Sequence, residues 1–261
     1  MTDVVLGDLA ASAKIADGGQ GRVFRLADLP GTLLKLYHPG IAVLPDELGR
    51  LIDLDGGHRD LCAWPTGRVF DGGRCVGLLM PEAPSRFATS LAGRRRLLEL
   101  QFLLYPRRPM WADLTLPSPS ERRRLAAAYV ELFRVLHAAD VVVGDVSMRN
   151  LLWTLADGPA VFAIDCDGFR LAGRPPAVRP ADTAGWGDPA RPREVTLDTD
   201  RYKLALVALR VLLGNHIVTP EDVCRNPPAL DPALTVLARH ASQPGHRPAA
   251  ECWLAAIGGV T

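Results

Sequence analysis

Two polar stretches set against short apolar runs narrow most sharply what this chain can fold into. In the first, Val143-Gly144-Asp145-Val146-Ser147-Met148-Arg149-Asn150 leads straight into Leu151-Leu152-Trp153. In the second, a strand-like piece over residues 161–164 runs into Asp165-Cys166-Asp167-Gly168-Phe169. A long amphipathic run precedes the first: residues 121–139 carry Leu125, Ala128, Leu132, Val135 and Leu136 on one helical face, with Ser120 as the expected N-cap. Asp145 and Asn150 lie five residues apart, and Asp165 follows fifteen after Asn150. Such a set suits phosphoryl transfer: one carboxylate orients an acceptor hydroxyl, while the amide oxygen and the later carboxylate ligate magnesium. Either stretch taken singly reads equally well as an Asx turn.

Upstream, the chain reads as strands joined by glycine-rich turns. Residues 15–26 form two strands around Asp17-Gly18-Gly19-Gln20-Gly21, residues 32–37 a third after the Pro30-Gly31 turn, and residues 68–70 and 75–80 a hairpin across Asp71-Gly72-Gly73. Pro45 opens a short helix over residues 46–54, closed by Gly56-Gly57. From Ala16 to Val23 the first turn fits G-x-G-x-x-G-x-V with Ala in first place. That is a loop whose backbone amides can approach a phosphate, and it is also a common hairpin turn. Lys35, between Leu34 and Leu36, is either an edge-strand charge or a cation reaching nucleotide phosphates. Glu47 on the short helix either pairs with that lysine or is a solvated first-turn carboxylate.

After Pro81 the character turns helical. Residues 200–213 form a strongly apolar helix and two weaker helices finish the chain, while residues 170–194, rich in Pro and Arg, form a long loop of the kind that is usually functional. A strand-rich part, a connection near residues 80–83 and a helical part make an α+β arrangement of two lobes, and 261 residues suffice for both to enclose a core.

Composition excludes several classes. Thirty Lys and Arg balance 29 Asp and Glu, which points to neither nucleic acid nor an anionic membrane as partner. Five scattered cysteines without a C-x-x-C pair suggest neither a disulfide framework nor a thiolate zinc site, in keeping with a reducing cytoplasm. The first residues lack a basic signal-peptide region, and the longest apolar run, residues 204–213, is too short to span a bilayer. The six histidines show no metal-ligand spacing, and Arg94-Arg95-Arg96, Arg107-Arg108 and Arg122-Arg123-Arg124 read as solvated helix faces.

Taken in chain order, these residues resemble a protein-kinase-fold phosphotransferase along nearly the whole chain. The resemblance implies a strand-rich N-lobe over residues 1–82, a helical C-lobe over residues 83–261, and ATP with Mg2+ or Mn2+ in the cleft between them. Gly18, Gly19, Gly21 and Val23 would cover the nucleotide. Lys35, held by Glu47, would reach its phosphates. Met80 takes the gatekeeper position and Pro81-Glu82-Ala83 the hinge. Asp145 and Asn150 match the catalytic-loop pair, and Asp165 the aspartate of D-F-G. Trp186-Gly187-Asp188-Pro189-Ala190 stands where the activation segment closes with A-P-E. Asp200 matches the aspartate that braces the catalytic loop, and Arg247-Pro248 the R-P motif before the last helix. Ala63-Trp64-Pro65, Gly77-Leu78-Leu79-Met80-Pro81, Leu104-Tyr105-Pro106-Arg107-Arg108 and Ile164-Asp165-Cys166-Asp167 look like bacterial kinases of the tellurium-resistance-linked triad. That likeness implies as partners a von Willebrand A-domain protein and a metal-dependent phosphatase.

Departures from the family pattern shape the remaining expectations. Val143-Gly144-Asp145 lacks the arginine of H-R-D, so activity should not require a phosphate on the activation segment. Ser147 replaces the usual lysine, and Arg149 resembles the arginine that neutralises the transferred phosphate in tyrosine kinases. Cys166 and Asp167 replace the Phe and Gly of D-F-G, with Asp167 either a second metal-facing carboxylate or a turn residue. Ala190 replaces the glutamate of A-P-E, which leaves Arg247 to find another partner, Glu194, or exposure. Thr183 and Thr199 are the hydroxyls of interest near the activation segment. A kinase acting on Ser or Thr hydroxyls of a protein is the expected function. The alternatives are a pseudokinase scaffold and a small-molecule kinase like the aminoglycoside phosphotransferases.

Overall fold

The computed structural model describes residues 2–180, 183–190, 192–226 and 230–258. Strands β1 (Thr2–Val5), β2 (Ala11–Asp17), β3 (Gly21–Leu26), β4 (Thr32–Tyr37), β5 (Gly67–Asp71) and β6 (Arg74–Pro81) form one sheet in the order β1-β5-β6-β4-β3-β2. β1 is parallel to β5 and the other pairs are antiparallel. β2 is the exposed edge, whereas β4 is interior and buries Leu33, Leu34 and Lys35 in succession. Lys35 is therefore not an edge-strand charge: Val23 faces it across β3 and Leu78 across β6. Gly21 is fixed by this packing, because a Cβ there would lie 2.4 Å from the Leu36 carbonyl oxygen. Helix α1 (Pro45–Asp53) starts with proline in its first turn and buries Leu48, Leu51 and Ile52 against the sheet and the segments that follow.

Beyond the sheet, β7 (Ala88–Leu91) and β8 (Arg94–Leu97) make a small hairpin, followed by α2 (Gln101–Leu104) and the long α3 (Pro119–Ala138). The true N-cap of α3 is Ser118, two residues before the expected Ser120, in a capping box with Glu121 and with Pro119 at the first helical position. Short strands β9 (Val141–Val142), β10 (Leu151–Thr154), β11 (Ala160–Ala163) and β12 (Arg170–Leu171) carry the two polar stretches: β10 pairs with β11, and β12 with β9. α4 (Leu197–Leu213) packs along α3, and α5 (Pro220–Arg225), α6 (Pro232–Ala241) and α7 (Ala250–Gly258) surround them. Three helices thus follow α4 where the sequence suggests two. A shared apolar core runs from α1 and Met80 through α3 to α4 and α7.

Several polar expectations are corrected here. Arg94, Arg95 and Arg96 lie on a strand, not a helix face. Arg122 and Arg123 do not simply face solvent: Arg122 donates to the carbonyls of Leu103 and Val211 (both 3.2 Å), and Arg123 to those of Ile257 (2.6 Å) and Ala256 (3.0 Å), satisfying carbonyls near the ends of α2, α4 and α7. Thr199 is buried; its hydroxyl oxygen accepts from the Thr196 amide at 2.9 Å, closing the α4 capping box, and its hydrogen goes to the Thr196 carbonyl at 2.8 Å. Arg247 is buried but not alone: it makes a fork with Asp188 (2.6 and 2.9 Å) and lies 3.3 Å from Asp198, whereas Glu194 is exposed.

The fork sets a stability prediction. Asp188→Ala should lower unfolding free energy by about 3 kcal/mol, because it takes the close, two-pronged partner from a buried guanidinium and leaves it only the longer contact to Asp198, while the exposed Glu194→Ala should change it by less than about 0.5 kcal/mol. Urea unfolding of the two variants beside wild type checks both values.

Candidate active site

A cleft of about 750 Å³ lies between the sheet and the helical part. Its sheet side is walled by Gly18, Gly19, Gly21, Val23 and Lys35, its inner end by Met80, Glu82 and Ala83, and its floor by Asp145, Asn150 and Asp165. Most of the residues expected at the nucleotide cleft thus meet in one cavity; Glu47, Arg149 and Asp167 do not line it. The glycine turn is tight: Gly18 donates to the Gly21 carbonyl at 2.9 Å, and His38 Nε2 lies 2.9 Å from the Gly18 carbonyl. Gln20, at its tip, donates across the cleft to the Arg179 carbonyl at 2.8 Å. At the other end Glu82 accepts a fork from Arg25 (2.6 and 3.2 Å) and a bond from Arg95 at 3.4 Å, tying the connection to β3 and to the β7–β8 hairpin.

Lys35 is the electrostatic centre. Its side chain is 3% exposed, and its ammonium bonds both oxygens of Asp167 (2.8 and 2.9 Å) as well as Asp165. Tyr37, two residues on and so on the same strand face, donates its hydroxyl to Asp167 at 2.8 Å. Burial works against the charge on Lys35, but Asp167 and Asp165 outweigh it and hold the ammonium above its ordinary range. Burial likewise opposes ionisation of Asp167, and Lys35 with Tyr37 overcomes it, so this carboxyl is held below its usual range. Asp165 moves the other way, raised by desolvation and by the neighbouring charge of Asp167. Asp165 adopts the left-handed conformation (φ 62°, ψ 45°) ahead of the turn at Cys166–Gly168, and its half-exposed carboxylate faces the cleft. A non-glycine residue in that region is a strained placement of the kind that clusters at functional sites.

Two expectations fail at this point. Glu47 does not hold Lys35: it accepts a fork from Arg174 in the loop beyond β12, at 2.7 Å for the Arg174 Nε bond, and Arg50 lies 3.8 Å away. Asp167, expected as either a metal-facing carboxylate or a turn residue, does not face the cleft: it is 2% exposed and both its oxygens are engaged by Lys35 and Tyr37. The signal that could have located it was the replacement of glycine by aspartate two residues after Asp165, opposite a strand carrying Lys and Tyr on one face.

Asp200 braces the loop that carries Asp145. Buried at the start of α4, it accepts from the amides of Val143 (2.6 Å) and Gly144 (2.9 Å), with His137 Nε2 at 3.3 Å. Lys203, one turn on, donates to the Gly144 carbonyl. Gly144 has φ 73°, and a Cβ there would meet the Arg170 guanidinium at 2.8 Å, so Arg170 lies where a side chain at position 144 would stand. The far end of the loop is tied as well: Ile164 donates to the Asn150 carbonyl at 2.8 Å, which sets Asn150 beside Asp165. Asp145 accepts from the Thr183 amide at 3.3 Å. Arg149 is exposed and outside the cleft wall. Sequence reasoning also missed Glu99, which lines the cleft and whose carboxyl is pushed up by burial, with Arg149 pulling it back.

Asp165 and Asn150 suit a divalent cation on the chemistry of their donors. They are two hard oxygen donors side by side at the cleft floor, and Mg2+ commonly takes one or two protein oxygens and completes its shell with phosphate and water. Among the described residues, no group of three or more His, Cys, Asp and Glu side chains could hold a metal unaided. Nor is any helix among them long and apolar enough to cross a membrane.

No family model matches the sequence, and no curated protein matches it. The structure, however, is similar to the crystal structure of the PknI kinase domain of Mycobacterium tuberculosis: the TM-score is 0.63 and the match covers 96% of this chain and 95% of that one, at 15% identity. The chain therefore has the α+β, two-lobed protein-kinase-like fold, with the cleft described above between sheet and helices.

The brace at Asp200 makes a local prediction. Asp200→Ala leaves two buried amides without an acceptor, at about 1–3 kcal/mol each. The Val143 and Gly144 amides should then exchange with deuterium at least about tenfold faster than in wild type, while amides in the middle of α3 change far less. Exchange read by mass spectrometry on peptides covering residues 141–146 checks it.

Proposed function

We propose that the protein is a phosphotransferase that moves the γ-phosphoryl group of ATP, with Mg2+ or Mn2+, to a Ser or Thr hydroxyl of a protein. The observation that carries this reading is the convergence of Lys35, Asp145, Asn150 and Asp165 in one cleft under a glycine turn. Gly18, Gly19 and Gly21 offer backbone amides to phosphate oxygens, and Lys35 supplies a fixed positive charge beneath them. Asp165 and Asn150 would hold the cation, which supplies charge neutralisation on the phosphate oxygens. Asp145 accepts the hydrogen of the incoming hydroxyl and aligns its oxygen with the γ-phosphorus. The new P–O bond forms to the acceptor, the bond to the β-phosphate oxygen breaks, and ADP leaves. Positioning and charge stabilisation account for nearly all of the rate in such chemistry.

A second cavity, of about 840 Å³, shares Asp145 and Thr183 with the nucleotide cleft and continues towards Tyr202 and Glu221. It offers the acceptor a route to Asp145 from the side away from the glycine turn. In line with the triad resemblance, a von Willebrand A-domain protein is the first acceptor to try and a metal-dependent phosphatase its antagonist. The lobes proposed from the sequence, residues 1–82 and 83–261, would close on the nucleotide from either side.

Purified wild type should transfer label from [γ-32P]ATP to protein in the presence of Mg2+ or Mn2+. Asp145→Asn and Asp165→Ala should each reduce transfer by at least about a hundredfold, in line with the loss of a positioning or charge-stabilising group. Equal labelling by wild type and Asp165→Ala would overturn the cation assignment. A wild type that neither labels protein nor shifts its melting temperature with ATP would favour the scaffold, and an ATP-dependent shift without labelling would move the search to small-molecule acceptors.

A further inference from the structure

We infer that Asp167 is the positioning residue for Lys35, and that α1 has no part in holding the lysine. The inference rests on the phosphotransferase reading for its consequence, and on geometry alone for the pairing. Lys35 has three N–H donors. In the structure they go to Asp165 and to both oxygens of Asp167. The two acids differ in burial: Asp165 has a side chain 41% exposed at the cleft floor, while that of Asp167 is 2% exposed behind the lysine. A nucleotide phosphate entering the cleft can displace Asp165 from Lys35, freeing that carboxylate for a cation. It cannot displace Asp167, which lies outside the cavity lining and is pinned from the far side by Tyr37. The Lys35–Asp167 pair therefore persists while the lysine turns its remaining donor to phosphate.

Glu47 is committed elsewhere. Its carboxylate takes the fork from Arg174, and next to it the Leu44 amide donates to the Ala177 carbonyl at 2.8 Å while Val43 bridges to Val178. α1 is thus stitched to the loop beyond β12 rather than to the nucleotide lysine. The lysine is held by the chain segment that carries the cation ligand, Asp165, so one short turn sets both charges relative to each other. Displacement of α1 would leave Lys35 in place, and a change in the turn at Cys166–Gly168 would move it.

The test is ATP affinity by titration calorimetry on the full chain, in Mg2+ and again in EDTA, for wild type, Asp167→Asn, Lys35→Met, the Lys35→Met/Asp167→Asn double variant, Tyr37→Phe and Glu47→Gln. Asp167→Asn should weaken ATP at least about tenfold in both buffers, Tyr37→Phe about two- to fivefold, and Glu47→Gln less than twofold, in line with the loss of a buried charge, one hydrogen bond and an ion pair that does not touch Lys35 respectively. In the Lys35→Met background the Asp167→Asn effect should vanish. An effect of Asp167→Asn confined to Mg2+ buffer would make it a cation ligand and overturn the inference. So would an undiminished effect in the Lys35→Met background, or a tenfold loss in Glu47→Gln, a substitution of nearly the same shape whose folding a melting curve checks. If wild type binds no ATP, the phosphotransferase reading fails. The pairing is then decided by urea midpoints of the same variants with Lys35→Met/Glu47→Gln added: non-additive shifts for Lys35 with Asp167 support it, and non-additive shifts for Lys35 with Glu47 overturn it.

Discussion

A lysine ammonium buried in the middle of a sheet has to be neutralised where it stands, and much of this structure is arranged around that requirement. Removing such a charge from water costs several kcal/mol, which only a close and fully hydrogen-bonded partner offsets. The partner comes from more than a hundred residues away in sequence: Asp167, on the turn after β11, reaches Lys35 in β4. Strand periodicity puts Tyr37 on the same face, and its hydroxyl completes the shell of the carboxylate. Sheet and helical part are thereby tied through a buried ion pair, and separating them would leave its charges uncompensated.

Asp200 does for the backbone what Asp167 does for the lysine. Wholly buried, it spends both oxygens on the Val143 and Gly144 amides and so fixes the approach to Asp145. The acidic residues around the cleft divide by burial into two kinds. Asp167 and Asp200 are closed off and satisfied by the protein, and they position. Asp145 and Asp165 reach the cavity and face whatever enters it. Residue type alone does not separate these roles. Depth does, because a carboxylate with all its lone pairs taken has nothing left to offer a cation.

Much of this was legible in the sequence, and what was not has physical causes. β4, β10 and β11 stood out because an apolar run bounded by turn residues encodes a short buried strand directly. The cleft residues were readable because the order of the glycine turn, Lys35, the loop of Asp145 and Asn150, and Asp165 along the chain resembles that of kinase-fold proteins. The α3 cap was misplaced by two residues since Ser118 and Ser120 are equivalent in type, and only Pro119 at the first helical position separates them. The β7–β8 hairpin was hidden by three consecutive arginines that look the same on any exposed surface. The partners of Lys35 and Arg247 escaped for a different reason. A buried cation accepts any carboxylate the fold brings near, and chain distance does not say whether that is Glu47 or Asp167, Glu194 or Asp188.

These substitutions of partner also bear on what the fold is for. At 15% identity to the PknI kinase domain the overall fold is shared, and the contacts of this chain's own residues stand on its own structure. Arg170 lies against Gly144 in the space a side chain there would fill, and Asp188 closes on Arg247. Both replacements serve stability and would serve a scaffold as well as an enzyme. The Lys35–Asp167 pair is different. A buried ion pair can be exchanged for apolar residues of similar volume at no loss of stability, and often with a gain. A chain that needed only the fold could carry Leu or Met at position 35, as its neighbours Leu34 and Leu36 do. Holding a charged lysine there, aimed into a cleft beside Asp165 and paired with a carboxylate outside α1, is a cost that stability does not require and that the proposed phosphate binding would explain.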